Sequence, residues 1–422
     1  MSEDVLVINA GSSSIKISLF GPGGADGPAL QMAGQVEGIG TAPHAILHRA
    51  SKEVLIDRYW PDCDGPCDHD QAMAFLVRAL SDLRAGWKPA GVGHRVVHGA
   101  TLYREPTVID PTVRADLEAL IPLAPLHQPA NLEGIDAAAK AFPEAMQVAC
   151  FDTAFHQGHP WVADTFALPR DLYEQGIRRY GFHGLSYAYI VRAMRRIAPG
   201  VARGRMIVAH LGNGASMCAI RDGRSIDSTM SFTALDGLAM GTRCGQIDPG
   251  VLLYLLDAKG MSVAELGDLL YKKSGLLGLS GLGSDMRDLL ASDSPHARQA
   301  VDYFTYRVTC TTGSLAAALG GVDGLVFTGG IGEHSAEIRA RICRGLTWMG
   351  LEFDEAANDA GGPCITEPSS AVSAWVVPTD EERMIAISVS EVLRVTGTQL
   401  DFCPFCMPSE GGSHQQEGTP CW

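Results

Sequence analysis

The sequence predicts a mixed α/β protein assembled from two similar halves, and three observations carry that expectation. The composition is 46% hydrophobic, 19% charged and 7% aromatic, the balance of a globular α/β chain rather than a disordered or fibrous one. At 422 residues the chain exceeds the roughly 100–200 of one domain, so two or three domains with a large buried core are expected. An apolar run at 5–8, a Gly/Ser turn and an apolar/polar alternation through residue 20 form a hairpin plan, and the same plan returns at 206–220.

The remaining elements follow in order. Residues 70–85 and 129–140 carry helical apolar spacing, and 92–97 and 146–150 are short apolar runs of the kind that form buried strands. In the second half, helices are expected at 250–258, 262–270, 295–319 and 335–344, with strands at 324–328 and 374–378 and glycine-rich turns between them. From 396 onward the chain has no Lys or Arg and turns to Gly, Ser, Gln and Pro, so 397–422 is expected to be a solvated, disordered tail. A docking role for its Phe402, Phe405 and Trp422 is the alternative.

The formal charge of −15 and the absence of a long basic run argue against sequence-independent nucleic-acid binding. No stretch of about 18 uncharged apolar residues occurs, and the start is acidic where a signal peptide is basic, so a soluble cytoplasmic protein without membrane partners is expected. The 11 cysteines are mostly scattered among apolar residues, which suits reduced thiols. Cys63, Cys67, Cys403 and Cys406 could be imagined around zinc, but the first pair is loosely spaced, no third ligand lies near it and the second pair is in the tail.

With 48 glycines the chain is unusually rich in positions that admit positive φ or a close approach of backbone to ligand. Three glycine-bearing turns matter most. Gly11-Ser12-Ser13-Ser14, followed by Lys16, offers consecutive amides and hydroxyls to a phosphate. Gly212-Asn213-Gly214 repeats that hairpin cradle, and Gly329-Gly330-Ile331-Gly332-Glu333 follows a strand and opens a helix. Neither a P-loop nor a Rossmann glycine pattern is present, so hairpin phosphate loops of the actin-like ATPase type are the expected architecture.

Arg95 and Arg243 sit among glycines beside apolar segments, where an unpaired charge is costly and an anionic partner would relieve it. His94 and His98 lie in a β-forming run and are expected to be structural. Asp152 follows an apolar strand, at the carboxyl edge where open α/β sheets bind ligands, with a helix N-cap as the competing explanation. His210, between strand and turn, suits either the phosphates or a hydrogen bond within the core.

Asn9 through Lys16, His94 through Gly99, Phe151 through His156, Tyr180 through Gly184, His210 through Ser216, Met240 through Arg243 and Gly329 through Glu333 are together similar, in order, to the acetate kinase family. The resemblance spans residues 5 to about 390. It implies two actin-like (ribonuclease H-like) domains, 1–152 and 153–380, with a nucleotide and substrate cleft between them, the first completed by a C-terminal helix at about 381–396. It implies reversible phosphorylation of acetate to acetyl phosphate by ATP with Mg²⁺ or Mn²⁺, and a homodimer. By position, Arg95 and Arg243 would hold the carboxylate and the phosphoryl group, with His183 and Asp152 beside them. Asn9 and Glu381 would serve the metal, and Val97, Leu126, Phe182 and Ala234 the acetate methyl. Nucleotide contacts would fall at Lys16, at His210, Leu211, Gly212, Asn213 and Gly214, at Asp285, Met286 and Arg287, and at Gly330, Ile331, Gly332 and Glu333.

Four departures stand out. Ala234 replaces the family's proline, which would make the methyl pocket roomier and lets propionate be used relatively well. Gln246 replaces an aspartate three residues beyond Arg243, removing a carboxylate from a structural ion pair; His334 replaces asparagine, and Tyr187 replaces histidine. A kinase of a longer acid and an ATP-binding module without turnover are the rival functions. A sugar kinase is disfavoured because such sites need a base for a neutral hydroxyl, and Asn9 stands at the usual acidic position.

Overall fold

The computed structural model describes residues 3–400 apart from 12, 25–26, 62–64 and 85. Ser12 of the first loop, Cys63, Cys403 and Cys406 of the imagined zinc site and residues 401–422 therefore lie outside the described residues, whereas residues 397–400, expected as the start of the tail, continue the last helix.

Strands β1 (Val5–Gly11), β2 (Ser14–Gly21), β3 (Ala29–Glu37), β4 (His44–Arg49), β5 (Val54–Tyr59), β6 (Gly91–Val96), β7 (Thr107–Val108) and β8 (Met146–Phe151) form one sheet in the order β5-β4-β3-β2-β1-β6-β8-β7. The second sheet contains β9 (Arg205–Leu211), β10 (Ala215–Arg221), β11 (Arg224–Ser228), β12 (Gly324–Thr328) and β13 (Ser373–Val376), in the order β11-β10-β9-β12-β13. Both sheets share one plan. Three antiparallel strands lead into two parallel ones, β3-β2-β1-β6-β8 in the first and β11-β10-β9-β12-β13 in the second. The repeated hairpin in the sequence is thus the start of a repeated α/β unit, and the architecture is the two-sheet arrangement of an actin-like fold.

Burial explains which runs became central strands. Every residue of β12 is buried, and β9 is apolar on both faces, as expected of parallel strands covered by helices on each side. Local chemistry explains the helix bounds. The Pro295–Leu319 helix begins with Ser294 accepting the His296 amide and Pro295 at the first position, and ends at Gly320 with φ 68°, so its predicted limits are the observed ones. Ser335 caps Ala336–Arg344 in the same manner. The meander β3–β5 is not singled out by the sequence reading. β3 and β4 alternate buried with partly exposed residues, and β5 is mostly exposed, so they lack the apolar runs that marked the central strands.

The helix Glu381–Leu400 occupies the stretch expected to complete the first unit. Its Ile385, Ala386 and Val389 pack with Val5, Val7, Phe20, Val148 and Cys150 of the first sheet. Gly93 on β6 permits that contact, because a Cβ there would stand 2.5 Å from Ile385 Cγ2 and 2.7 Å from Val389 Cγ2. Substituting Gly93→Ala should therefore destabilise the fold by about 1–3 kcal/mol through overpacking. Chemical denaturation of the single variant and of Gly93→Ala with Ile385→Val checks this, the double variant recovering part of the loss.

Candidate active site

Parallel strands point their carboxyl ends to one edge, and the polar side chains of interest gather at these edges. Arg95 stands near the end of β6 and Asp152 directly after β8. Arg95 Nε and Nη2 donate to the two Asp152 oxygens at 3.1 and 2.7 Å, and Glu381 Oε2 lies 3.7 Å from Arg95 Nε. Asp152 is 1% exposed. Its carboxylate is thus occupied by a bidentate pair, which excludes the helix-cap alternative, and Arg95 is not the unpaired cation that the sequence suggested. Burial by itself would lower the Arg95 pKa, but Asp152 and Glu381 outweigh it and hold the guanidinium charged.

Arg243 fits the expectation of a charge without a carboxylate partner. Its Nη1 donates to the Ala234 carbonyl at 2.8 Å, and among the described residues no carboxylate pairs with it. Burial and then the neighbouring Arg95 depress its pKa, so an anion placed here would be strongly favoured.

His183 takes up a left-handed conformation, φ 58°, at the residue before the Gly184–Ile197 helix. A non-glycine residue held there is strained, a condition common at functional sites. Its Nδ1 lies 2.8 Å from Ser216 Oγ, and its ring stacks on His210 at 4.3 Å. Burial first, then His210, Arg95 and Arg243, push its pKa well below the ordinary histidine value, so the ring is neutral. His210 is likewise held down to about 4, mainly by burial, and its Nδ1 lies 2.8 Å from Ser186 Oγ. The core hydrogen-bonding role and the position beside the site therefore coexist in His210. His156 secures the same segment from behind, its Nε2 lying 2.9 Å from the Phe182 carbonyl oxygen.

The second glycine hairpin approaches these groups. A Cβ at Gly214 would stand 3.4 Å from His183 Nε2 and 3.5 Å from Arg243 Nη2, so that loop approaches both side chains through bare backbone. The Gly241 amide donates to the Asn213 carbonyl at 3.0 Å, joining the loop that bears Arg243 to the second hairpin. Gly330 borders Gly212.

Several expected nucleotide contacts need correction at the side-chain level. Leu211 and Met286 are core residues, 0% and 4% exposed, so only their backbones could face a ligand. Ile331 packs partly against the same core. Glu333 Oε1 accepts the Gly329 amide at 2.8 Å and the Thr379 amide at 3.1 Å, which commits it to bracing the loop. Asp285 accepts the Arg287 amide at 2.8 Å and pairs with the Arg287 guanidinium, which lowers the aspartate pKa to about 2.

Val97, Leu126, Phe182 and Ala234 line a single small pocket, as expected from the sequence. Thr233, Tyr271 and His127 also line it and were not anticipated. Burial and then Arg243 and Arg95 lower the His127 pKa, which places that ring near both cations; its position just before a proline-marked helix start was the available signal.

Glu381 opens the C-terminal helix, and Asn9 lies opposite Lys16 in the β1/β2 register. Burial, countered by Arg95 but reinforced by Asp152 and Glu382, raises the Glu381 pKa to about 7. Among the described residues no group of three or more His, Cys, Asp or Glu could hold a metal. A buried carboxylate crowded by Asp152 and Glu382 still suits Mg²⁺, which keeps several waters and takes phosphate oxygens as ligands.

Of the other expectations, His94 and His98 are structural. His94 Nε2 lies 2.8 Å from Gln147 Oε1, and His98 Nδ1 accepts the Ala100 amide at 2.9 Å. Gln246 makes a polar link, its Oε1 accepting a hydrogen bond from Arg307. His334 is exposed at the end of the Gly329–His334 helix, and nothing in the structure explains the substitution.

The chain was compared with known proteins. The acetokinase family pattern matches residues 4–387. A protein named acetate kinase from Rhodopseudomonas palustris (strain TIE-1) is 52% identical over 390 residues, covering 92% of this chain and 97% of the relative. The crystal structure of Porphyromonas gingivalis acetate kinase superposes with a TM-score of 0.84 at 39% identity, covering 93% of this chain and 100% of that one. That of a propionate kinase from Francisella tularensis subsp. tularensis SCHU S4 gives 0.86 at 37% identity, with the same coverage. Matched along nearly its whole length in sequence, and in fold by kinases of short carboxylic acids, the chain belongs to the acetokinase family.

Proposed function

We propose that this protein is an acetate kinase, phosphorylating acetate with ATP to give acetyl phosphate and ADP by direct in-line transfer. The observation that carries the reading is Arg243, a half-buried cation without a carboxylate partner, set beside neutral His183 and linked through the Ala234 carbonyl to a small apolar pocket. A carboxylate whose methyl enters that pocket brings its oxygens to the guanidinium.

The acid is already ionised at pH 7, so no general base is required. A carboxylate oxygen forms the new bond to the γ-phosphorus as the bond to the ADP oxygen breaks, and the chain's task is alignment and neutralisation of charge. Arg243 offers the bidentate geometry that suits carboxylate and phosphoryl oxygens alike. Arg95, oriented by Asp152, adds a second fixed cation. His183 donates from a neutral ring. The hairpin and loop amides at Gly11–Ser14, Gly212–Gly214 and Gly329–Gly332 receive phosphates, Lys16 adds exposed positive charge, and Asp285 through Arg287 lie toward the nucleoside. Asn9 and Glu381 would hold Mg²⁺, which would neutralise phosphate charge. The cleft between units 1–152 and 153–380, the first completed by the C-terminal helix, is where these parts meet.

A second reading is favoured by one residue. Ala234, where the related pattern has proline, lines the pocket, so propionate should be accepted as well. Pocket contacts of this kind are worth about 1–3 kcal/mol per methylene. The cytoplasm is the expected location, and no described helix is long and apolar enough to cross a membrane. A homodimer is supported by the Pro249–Asp257 helix, which has no buried residue although Leu253 and Tyr254 are 67% and 54% exposed.

Three tests follow. Trapping acyl phosphate as hydroxamate over a panel of carboxylates should give product with acetate, and kcat/KM for propionate within about a hundredfold of acetate; no hydroxamate with any acid would leave only an ATP-binding module. Arg243→Ala should lower kcat/KM by about a thousandfold or more while shifting unfolding free energy by about 1 kcal/mol at most. Arg95→Ala should in contrast destabilise the fold by about 3–5 kcal/mol, because Asp152 is left buried and unpaired. Finally, light scattering should report a dimer for the native chain and a monomer for Leu253→Glu.

A further inference from the structure

Tyr187 stands on the Gly184–Ile197 helix at the position where the related pattern has histidine, and it is 0% exposed. Its hydroxyl bonds to Ser216 Oγ, and that same oxygen lies 2.8 Å from His183 Nδ1. Ser216, on β10, is itself 1% exposed. The phenol ring is fixed edge-on against His156 at 5.6 Å and lies close to Phe155. Three polar groups in line thus end on the imidazole whose other nitrogen faces Gly214, next to Arg243.

The protons in this line can be arranged in few ways. Burial keeps the phenol protonated, and His183 is neutral and carries one ring proton. If Nδ1 held that proton and donated to Ser216, either the serine proton or the phenol proton would be left without an acceptor, since among the described residues neither hydroxyl has another partner. A buried donor left unmade is costly. Only one order satisfies both hydroxyls and Nδ1: Tyr187 donates to Ser216, Ser216 donates to Nδ1, and the imidazole proton resides on Nε2.

We propose that Tyr187 is a positioning residue which, through Ser216, holds His183 in its Nε2–H tautomer so that the ring presents a donor to the transferring phosphoryl group. The opposite tautomer would turn a lone pair toward an anion. This inference rests on the reading that His183 contacts that group. The same residues also explain how a histidine in the left-handed region keeps one ring orientation, with Ser216 on one side and His210 stacked on a face.

The experiment compares the native chain with Tyr187→Phe, Ser216→Ala and His183→Ala, measuring steady-state kinetics, thermal midpoint and the ¹⁵N shifts of labelled histidine. Tyr187→Phe keeps the ring and removes only the hydroxyl. It should lower kcat by about tenfold with KM for acetate and ATP changed by no more than about twofold, and the His183 shifts should move from the Nε2–H form toward a tautomer mixture. Ser216→Ala should do at least as much. Retention of both kcat and the Nε2–H form in Tyr187→Phe would overturn the proposal, as would a lowered thermal midpoint alone, which is what a packing role predicts. Unchanged turnover in His183→Ala would instead remove the reading of the site, while the tautomer comparison still judges the relay.

Discussion

The arrangement of this protein depends on how it keeps charge buried near the carboxyl edge of its first sheet. Arg95 and Asp152 come from neighbouring parallel strands, β6 and β8, and meet in a bidentate pair that Glu381 approaches from the C-terminal helix. The Asp152 carbonyl in turn accepts the Gly184 amide at 2.8 Å, fixing the start of the helix that carries His183. The ion pair therefore links the first sheet to the helix that closes it, and the backbone of Asp152 holds the segment that faces the second hairpin. Removing either partner would strand a charge out of water, which is why the pair is expected to govern stability and activity together.

Against that satisfied pair, Arg243 is deliberately different in its surroundings. It has a carbonyl for a partner and no carboxylate, and Arg95 lies near enough to lower its pKa. In a chain of net charge −15 these two cations supply a local field that the protein as a whole does not have. Neutral His183 and His210 add hydrogen-bonding capacity without further positive charge, so two anions can be brought together without the site repelling itself when empty.

Much of the fold was legible. The central strands and the capped helices announce themselves by apolar runs and by Ser, Pro and Gly at their ends, and the repeated hairpin indicated two related units. The meander β3–β5 was not legible because β3 and β4 bury only alternate residues and β5 is mostly exposed, so none carries such a run. At the site, the glycine collars identified Arg95, His183 and Arg243, and the four apolar pocket residues meet as expected. What failed was the assignment of side chains by adjacency. Leu211, Met286 and Glu333 lie in segments expected to contact nucleotide, yet the side chains of two belong to the core and that of the third braces a loop. His127 and Tyr271 line the pocket from positions that no local pattern connects to it.

The sequence by itself determined the class of the protein, its repeated α/β plan, and the glycine-bearing loops and cations from which the proposed site is drawn. Those properties depend on composition, periodicity and residue type, which are local. Only the tertiary structure decided which cation is already neutralised and which stands ready for an anion, and that Tyr187 reaches His183 through Ser216. These are questions of partnership between residues dozens of positions apart, and the cost of burying an unpaired group is set by whichever side chains the fold brings within hydrogen-bonding distance.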